Sequence, residues 1–192
     1  MKSKVDDIFT PQGRLSDVKN NPNIDFLMNI FSIPRAFGVS GFGGGWSVGQ
    51  HSFATAALAI YWAKYNKFSD EKRDKLVILA LLHDIHESVT GDILPMFKTK
   101  EVKKNIAKIQ SDILKSLNVQ DDLSLKTDLK IIDMIAFLYE IKQVSPNLFQ
   151  PKKLELAKKV LLKQRQNIKD YCKEKNVSYS LVNKFITSYL TL

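Results

Sequence analysis

The sequence predicts an all-α fold, on three observations. Apolar residues recur at helical spacing along most of the 192-residue chain, alternating strand-like runs are nearly absent, and no hairpin dipeptide separates paired apolar runs. Helices are expected near Pro22–Phe31, Gln50–Asn66, Asp70–Ser88, Lys98–Leu117, Leu123–Val144, Pro151–Lys175 and Ser178–Tyr189. The second holds the run H-S-F-A-T-A-A-L-A-I-Y-W-A, alanine-rich and apolar enough to read as a buried helix. Ser69 stands where the third helix needs an N-cap, and that helix runs through the apolar segment I-L-A-L-L into a cluster of ionisable residues. The fifth carries Asp128 near its start, where an acid suits the helix dipole, and Ser145-Pro146-Asn147 stops it with a turn. The sixth is lysine-rich, with Leu154, Ala157, Leu161 and Ile168 as its packed face, and Ser178 caps the seventh. No repeat or linker divides the chain, so residues 1–192 are read as one domain whose C-terminal helices, 151–192, pack on the rest.

Composition narrows the class. Hydrophobic residues make up 44% and charged residues 26%, an ordinary balance for a chain with a real core. The net charge of +9 favours anionic ligands, and phosphate-bearing substrates, nucleic acid and solvated lysine faces all satisfy it. One cysteine, Cys172, excludes an internal disulfide and suits a reducing cytoplasm. The N-terminus lacks the apolar block of a secretory signal, and the longest nearly unbroken apolar stretch, Phe53–Ala63, is too short to cross a bilayer. A cytoplasmic protein with no membrane association is expected.

The chemistry concentrates in Ile78–Asp92, I-L-A-L-L-H-D-I-H-E-S-V-T-G-D, where His83, Asp84, His86, Glu87 and Asp92 crowd the end of an apolar run. Two of the chain's three histidines lie here, and the third, His51, is one helix upstream. Charged groups withdrawn from water demand compensation, and adjacent His83 and Asp84 can both reach a divalent cation. On a continuous helix Glu87 shares a face with His83 at a spacing of four and lies three from Asp84. Asp133, between apolar pairs in L-K-I-I-D-M-I-A-F-L-Y, needs a counter-charge; Asp128 is its competitor.

A His, a His-Asp pair and a later Asp, here His51, His83, Asp84 and Asp133, resemble the HD-domain metal-dependent phosphohydrolases. The segments V-G-Q-H-S-F and H-D-I-H-E-S-V-T-G-D-I-L-P-M-F-K resemble more narrowly the 5′-deoxynucleotidase branch and the small, often phage-encoded deoxynucleoside triphosphatases related to it. Glu87, Gly91, Asp92, Pro95 and Lys98 occupy that branch's places, and Arg35 in S-I-P-R-A-F stands for its loop arginine, over a match covering roughly residues 33–140. The chain departs from it in carrying Ala36 then Phe37 where members carry an aromatic directly after the arginine, and in the long run from Gly38 to Gly49, expected as a flexible loop that forms part of a substrate lid. The third glycine of a dinucleotide fingerprint is missing from that run.

The resemblance implies a single-domain helical bundle with a metal held in its core by His51, His83, Asp84 and Asp133. Mn2+ or Co2+ is the expected ion, with Mg2+, Fe2+, Ni2+ and Zn2+ able to accept the same ligands. Arg35, Asp84, Asp92, Lys98 and Asp133 are the expected substrate contacts, and Glu87, Arg35 and Asp92 the catalytic group. Glu87 protonates the leaving oxygen or orients the attacking water. His86 is left among three places, over the phosphate, on a second metal, or outside the cavity; the surface or a position behind the ligands is the reading taken. Three function classes follow. The first is a phosphohydrolase of deoxynucleoside monophosphates, or alternatively of a triphosphate such as dATP; the second a basic nucleic-acid-binding module, which lysines spread over several helices disfavour; the third a silent scaffold, which the intact ligand set disfavours. A homo-oligomer is expected by resemblance.

Overall fold

The computed structural model of the protein describes residues 24–35, 45–144 and 151–190, and the regular structure among them is helical, beside one isolated bridge between Pro34 and Ser47. Helix α1 (Ile24–Met28) runs into a 3-10 turn, Asn29–Ser32, and is followed by α2 (Val48–Tyr65), α3 (Asp70–Leu82) and the single turn α4 (Glu87–Thr90). A 3-10 turn at Pro95–Phe97 precedes α5 (Lys100–Ser116), and another at Leu123–Leu125 leads into α6 (Lys126–Val144), α7 (Pro151–Glu174) and α8 (Tyr179–Tyr189).

Caps explain most of the starts. Ser47 opens α2 with a full capping box, its hydroxyl accepting from the Gln50 amide while the Gln50 side chain accepts from the Ser47 amide. Ser69, Thr99 and Ser178 each accept from the amide three residues on, as expected for Ser69 and Ser178. The expected start of a helix at Lys98 is corrected to Lys100 because Thr99 takes the cap. Gly49, assigned by sequence to a loop, lies inside α2: a Cβ there would stand 2.6 Å from Cγ of Phe31, so glycine is what lets the 3-10 turn lie against the helix. Residues 36–44 of the expected lid, Pro22 and the Ser145–Asn147 stop lie outside the described residues.

The largest departure is at the ionisable cluster. The helix expected over Asp70–Ser88 ends at Leu82 because the Gln110 side chain of α5 donates to the Leu82 carbonyl at 2.7 Å. The chain then advances by three-residue turns, Ile85 N donating to Leu82 O at 3.1 Å and Glu87 N to Asp84 O at 2.9 Å. In such turns residues three apart eclipse, so Glu87 aligns with Asp84 rather than with His83. The shared face expected for His83 and Glu87 is therefore corrected.

The main core lies where α2, α3, α6, α7 and α8 meet, around Trp62, Leu76, Ile132, Ile135, Leu138, Ile168 and Phe185. Each fully buried leucine or isoleucine there contributes about 1.5–3 kcal/mol relative to exposure. A smaller cluster of Ile30, Val48, Ile85, Val89 and Ile113 sits under the cap of α2. Trp62 donates from Nε1 to Asp128 at 2.9 Å, which uses Asp128 far from the cluster and removes it as a ligand competitor. Helix α2 is not buried all round: Phe53, Ile60 and Tyr61 are exposed. On α7 the packed face holds at Ala157 and Ile168, whereas Leu154 is exposed and the unpredicted Gln164 is buried, donating to the Met134 carbonyl at 3.0 Å.

Candidate metal centre

His51 sits one turn into α2 and is wholly buried. Its Nε2 lies 3.1 Å from Oδ1 of Asp133, which α6 brings across the core, and its Nδ1 lies 3.3 Å from Oε2 of Glu140. Asp133 and Glu140 are seven residues apart on one helix, hence on one face. His83 caps the end of α3 with Nδ1 2.8 Å from the Ala80 carbonyl, and its Nε2 stands 3.1 Å from Asp84 Oδ2 and 3.7 Å from Asp133 Oδ1. Ligating atoms of His51, His83 and Asp133 all fall within 4.8 Å of one another. Asp84 is the member set slightly apart, turned so that Oδ2 also accepts from Arg35.

Arg35 is clamped between Asp84, 3.1 Å from Nη1, and Glu140, 3.1 Å from Nε. It reaches them because its segment is tied to the start of α2: Arg35 N donates to Trp46 O at 2.8 Å and Val48 N to Ile33 O at 2.9 Å. A cleft of about 500 Å³ opens over the cluster, lined by Arg35, Asp84, Glu87, Asp92, Lys98, Lys130 and Asp133, with Met134, Phe137, Gln164 and Asn167 on its far wall. Glu87 is almost fully buried at its base, with Lys98 Nζ 4.0 Å from Oε1. Lys130 donates to Asp133 Oδ2 at 2.6 Å.

Burial would raise the pKa of Asp84, but His83 and Arg35 hold it well below the usual carboxylate range. Asp133, also buried, is held low by His51, His83 and Lys130. Burial would lower His83, yet Asp84 and Asp133 push it up to about 10. Glu87 moves the other way, raised by burial and then by the charges of Asp84 and Asp92 to about 8. His86 is lowered by burial.

The cluster thus draws positive charge to one point. Two carboxylates and two imidazoles from α2, the α3 end and α6 form the mixed nitrogen and oxygen donor set that suits a divalent transition metal. With Nδ1 of His83 donating to the Ala80 carbonyl, its buried Nε2 is left without a hydrogen-bond partner among the described residues. A cation fits that atom.

Sequence reasoning thus expected His51, His83, Asp84, Asp133, Arg35, Glu87, Asp92 and Lys98 to be neighbours, and the structure brings all eight to one cluster and cleft. Of the two places expected for His86 it removes the surface and keeps the position behind the ligands, since His86 is 5% exposed beside Glu87 and is not among the residues that line the cleft. Glu140, Lys130 and Gln110 were missed. The first two carried a signal, standing seven after and three before Asp133 on the same helical face; Gln110, in an amphipathic helix of many polar residues, carried none.

Fold and site together define an all-α hydrolase with a side-chain cluster suited to a divalent metal. The chain belongs to the HD-domain family, whose model matches residues 48–170. No curated protein matches it. Among solved structures, the HD phosphohydrolase DatZ of cyanophage S-2L, bound to dA and one catalytic Zn2+ ion, is similar with a TM-score of 0.63 and 15% identity, covering 86% of this chain and 93% of its own. A structural-genomics crystal structure is similar with a TM-score of 0.51 and 18% identity, covering 76% of this chain and 95% of its own. At these identities the likeness is one of fold. No described helix is long and apolar enough to cross a membrane.

Proposed function

We propose that the chain hydrolyses deoxynucleoside 5′-monophosphates to deoxynucleoside and phosphate, as in the 5′-deoxynucleotidase branch. His51, His83, Asp84 and Asp133 would hold the divalent ion. The chemistry such an ion supplies is polarisation of a phosphoryl oxygen and activation of water near neutral pH. The observation that carries the reading is the charge of the cleft: Arg35, Lys98 and Lys130 face Asp84, Glu87, Asp92, Asp133 and Glu140. With Glu87 raised to about 8 and so protonated near neutral pH, a divalent cation leaves these groups with about one net positive charge, which suits a phosphate monoester.

Arg35 presents a planar donor fork to phosphate oxygens, held in orientation by Asp84 and Glu140. Lys98 and Lys130 add point charges at the cleft wall. Glu87 orients the attacking water or protonates the leaving oxygen, and Asp92 accepts from a sugar hydroxyl. Mn2+ or Co2+ is the preferred ion, with Zn2+, the ion of DatZ, as rival. A nucleotide substrate and a single buried thiol suit the cytoplasm.

A second reading, hydrolysis of a deoxynucleoside triphosphate of the dATP type, draws support from the likeness to a phosphohydrolase that binds dA. The test is to supply metal-stripped protein with each cation in turn against nucleoside mono- and triphosphates. Phosphate released from deoxynucleoside monophosphates supports the first reading, tripolyphosphate from a triphosphate replaces it with the second, and no turnover with any cation overturns both.

A further inference from the structure

Two side-chain amides on α7 are locked in series, and both line the cleft. Gln164 is 8% exposed, and its Nε2 donates to the Met134 carbonyl at 3.0 Å. A carbonyl oxygen accepts and never donates, so the reversed amide would set two buried acceptors against each other. Gln164 Oε1 is thereby fixed as an acceptor. One turn further along, Asn167 meets that oxygen through Nδ2 at 3.2 Å. Asn167 cannot turn over either, because its Oδ1 would then stand against Gln164 Oε1. The relay leaves Asn167 Oδ1, without a partner among the described residues, as an acceptor of fixed place.

The wall that holds these amides also carries Met134 and Phe137, and none of the four is charged. Arg35, Lys98 and Lys130 are the lining groups that suit phosphate. An uncharged wall with an aromatic ring suits the part of a nucleotide that bears no charge, its base. The bond from Gln164 to Met134 already ties α7 to α6, and that task does not call for Asn167.

We propose that Asn167 is a specificity-determining residue whose Oδ1 accepts a hydrogen bond from an exocyclic amino group on the substrate's base, with Gln164 the positioning residue and Phe137 supplying apolar surface for the ring. The inference rests on the reading of the cleft as a deoxynucleotide site and adds to it the class of base. Adenine and cytosine carry an amino group where hypoxanthine and uracil carry an oxo group, a donor exchanged for an acceptor at one place. An oxo group brought to Oδ1 sets two acceptors together, and the locked amide cannot turn to meet it.

The test measures, on the full chain, kcat/KM with Mn2+ and dissociation constants without metal by calorimetry. The pairs are dAMP against dIMP and dCMP against dUMP, or the matching triphosphates where those are the ones cleaved. At least one pair should favour its amino member by about 10–100-fold, the scale of one hydrogen bond replaced by an unmet polar group. Asn167→Leu should bring that ratio close to one. Gln164→Met should lower it too, since the Asn167 amide is then free to turn; lost packing alone would weaken both members of a pair together and leave their ratio standing. Should one variant fail to fold, the other carries the test. Ratios near one in both pairs, ratios that favour the oxo member, or a preference that survives either variant overturn the inference and spare the hydrolase. Neither binding nor turnover of any nucleotide overturns both.

Discussion

Glu140→Gln isolates what a buried carboxylate behind the proposed metal ligands contributes. Glu140 is 5% exposed and serves two partners, Arg35 Nε at 3.1 Å and His51 Nδ1 at 3.3 Å. The amide keeps the shape and loses the charge. On the arginine side the guanidinium still donates, now to an amide oxygen, and the pair loses one of its two charges, a loss of about 1–2 kcal/mol. Asp84, still 3.1 Å from Nη1, keeps Arg35 from becoming an uncompensated charge, which would cost more. For a chain of this size the metal-free protein should melt about 2–8 °C lower by calorimetry. On the histidine side the carboxylate orients the ring, so affinity for the ion should fall about 10–100-fold in chelator competition. Metal affinity within twofold of the parent would refute the argument that Glu140 orients His51.

Three further perturbations separate ligands from supports. His83→Ala should abolish ion binding, read by elemental analysis, while the helical circular dichroism spectrum persists, because His83 lies beyond the end of α3 rather than within it. Gly91→Ala should cost about 1–3 kcal/mol in denaturant unfolding, since φ 71° and ψ 171° form a backbone region open essentially to glycine, although space for the methyl group is open. It should also raise KM, as Asp92 follows directly. Trp62→Phe should cost about 1–3 kcal/mol by loss of the Nε1 bond to Asp128 and of packing on Phe185, with metal affinity unchanged.

Helical class and the clustering of His51, His83, Asp84 and Asp133 were legible because each has a local signature. A 3.6-residue period marks α5, an alanine-rich and apolar composition marks α2, and histidine is scarce enough that its placement carries information. What misled was extrapolating one period through a point where another helix intervenes. Nothing within Asp70–Ser88 announces a break at Leu82; the cause is a side chain 28 positions further on, Gln110, which bridges the Leu82 carbonyl and the His86 amide that an α-turn would have joined directly. The other end of the same side chain, Gln110 Oε1, meets the amide and Nδ1 of the buried His86, so one residue accounts both for the broken helix and for the loss of the surface position expected of His86. Glu140 was passed over for a different reason. A glutamate in F-L-Y-E-I-K reads as a polar interruption of an apolar helix until Asp133 is known to face inward, and only then does a spacing of seven place both on one side.

The hydrogen bonds that join Val48 to Ile33 and Arg35 to Trp46 fasten the segment carrying Arg35 to the start of the helix that carries His51. The guanidinium and the first imidazole are therefore mounted on one rigid junction, and a change that loosens this junction displaces both together.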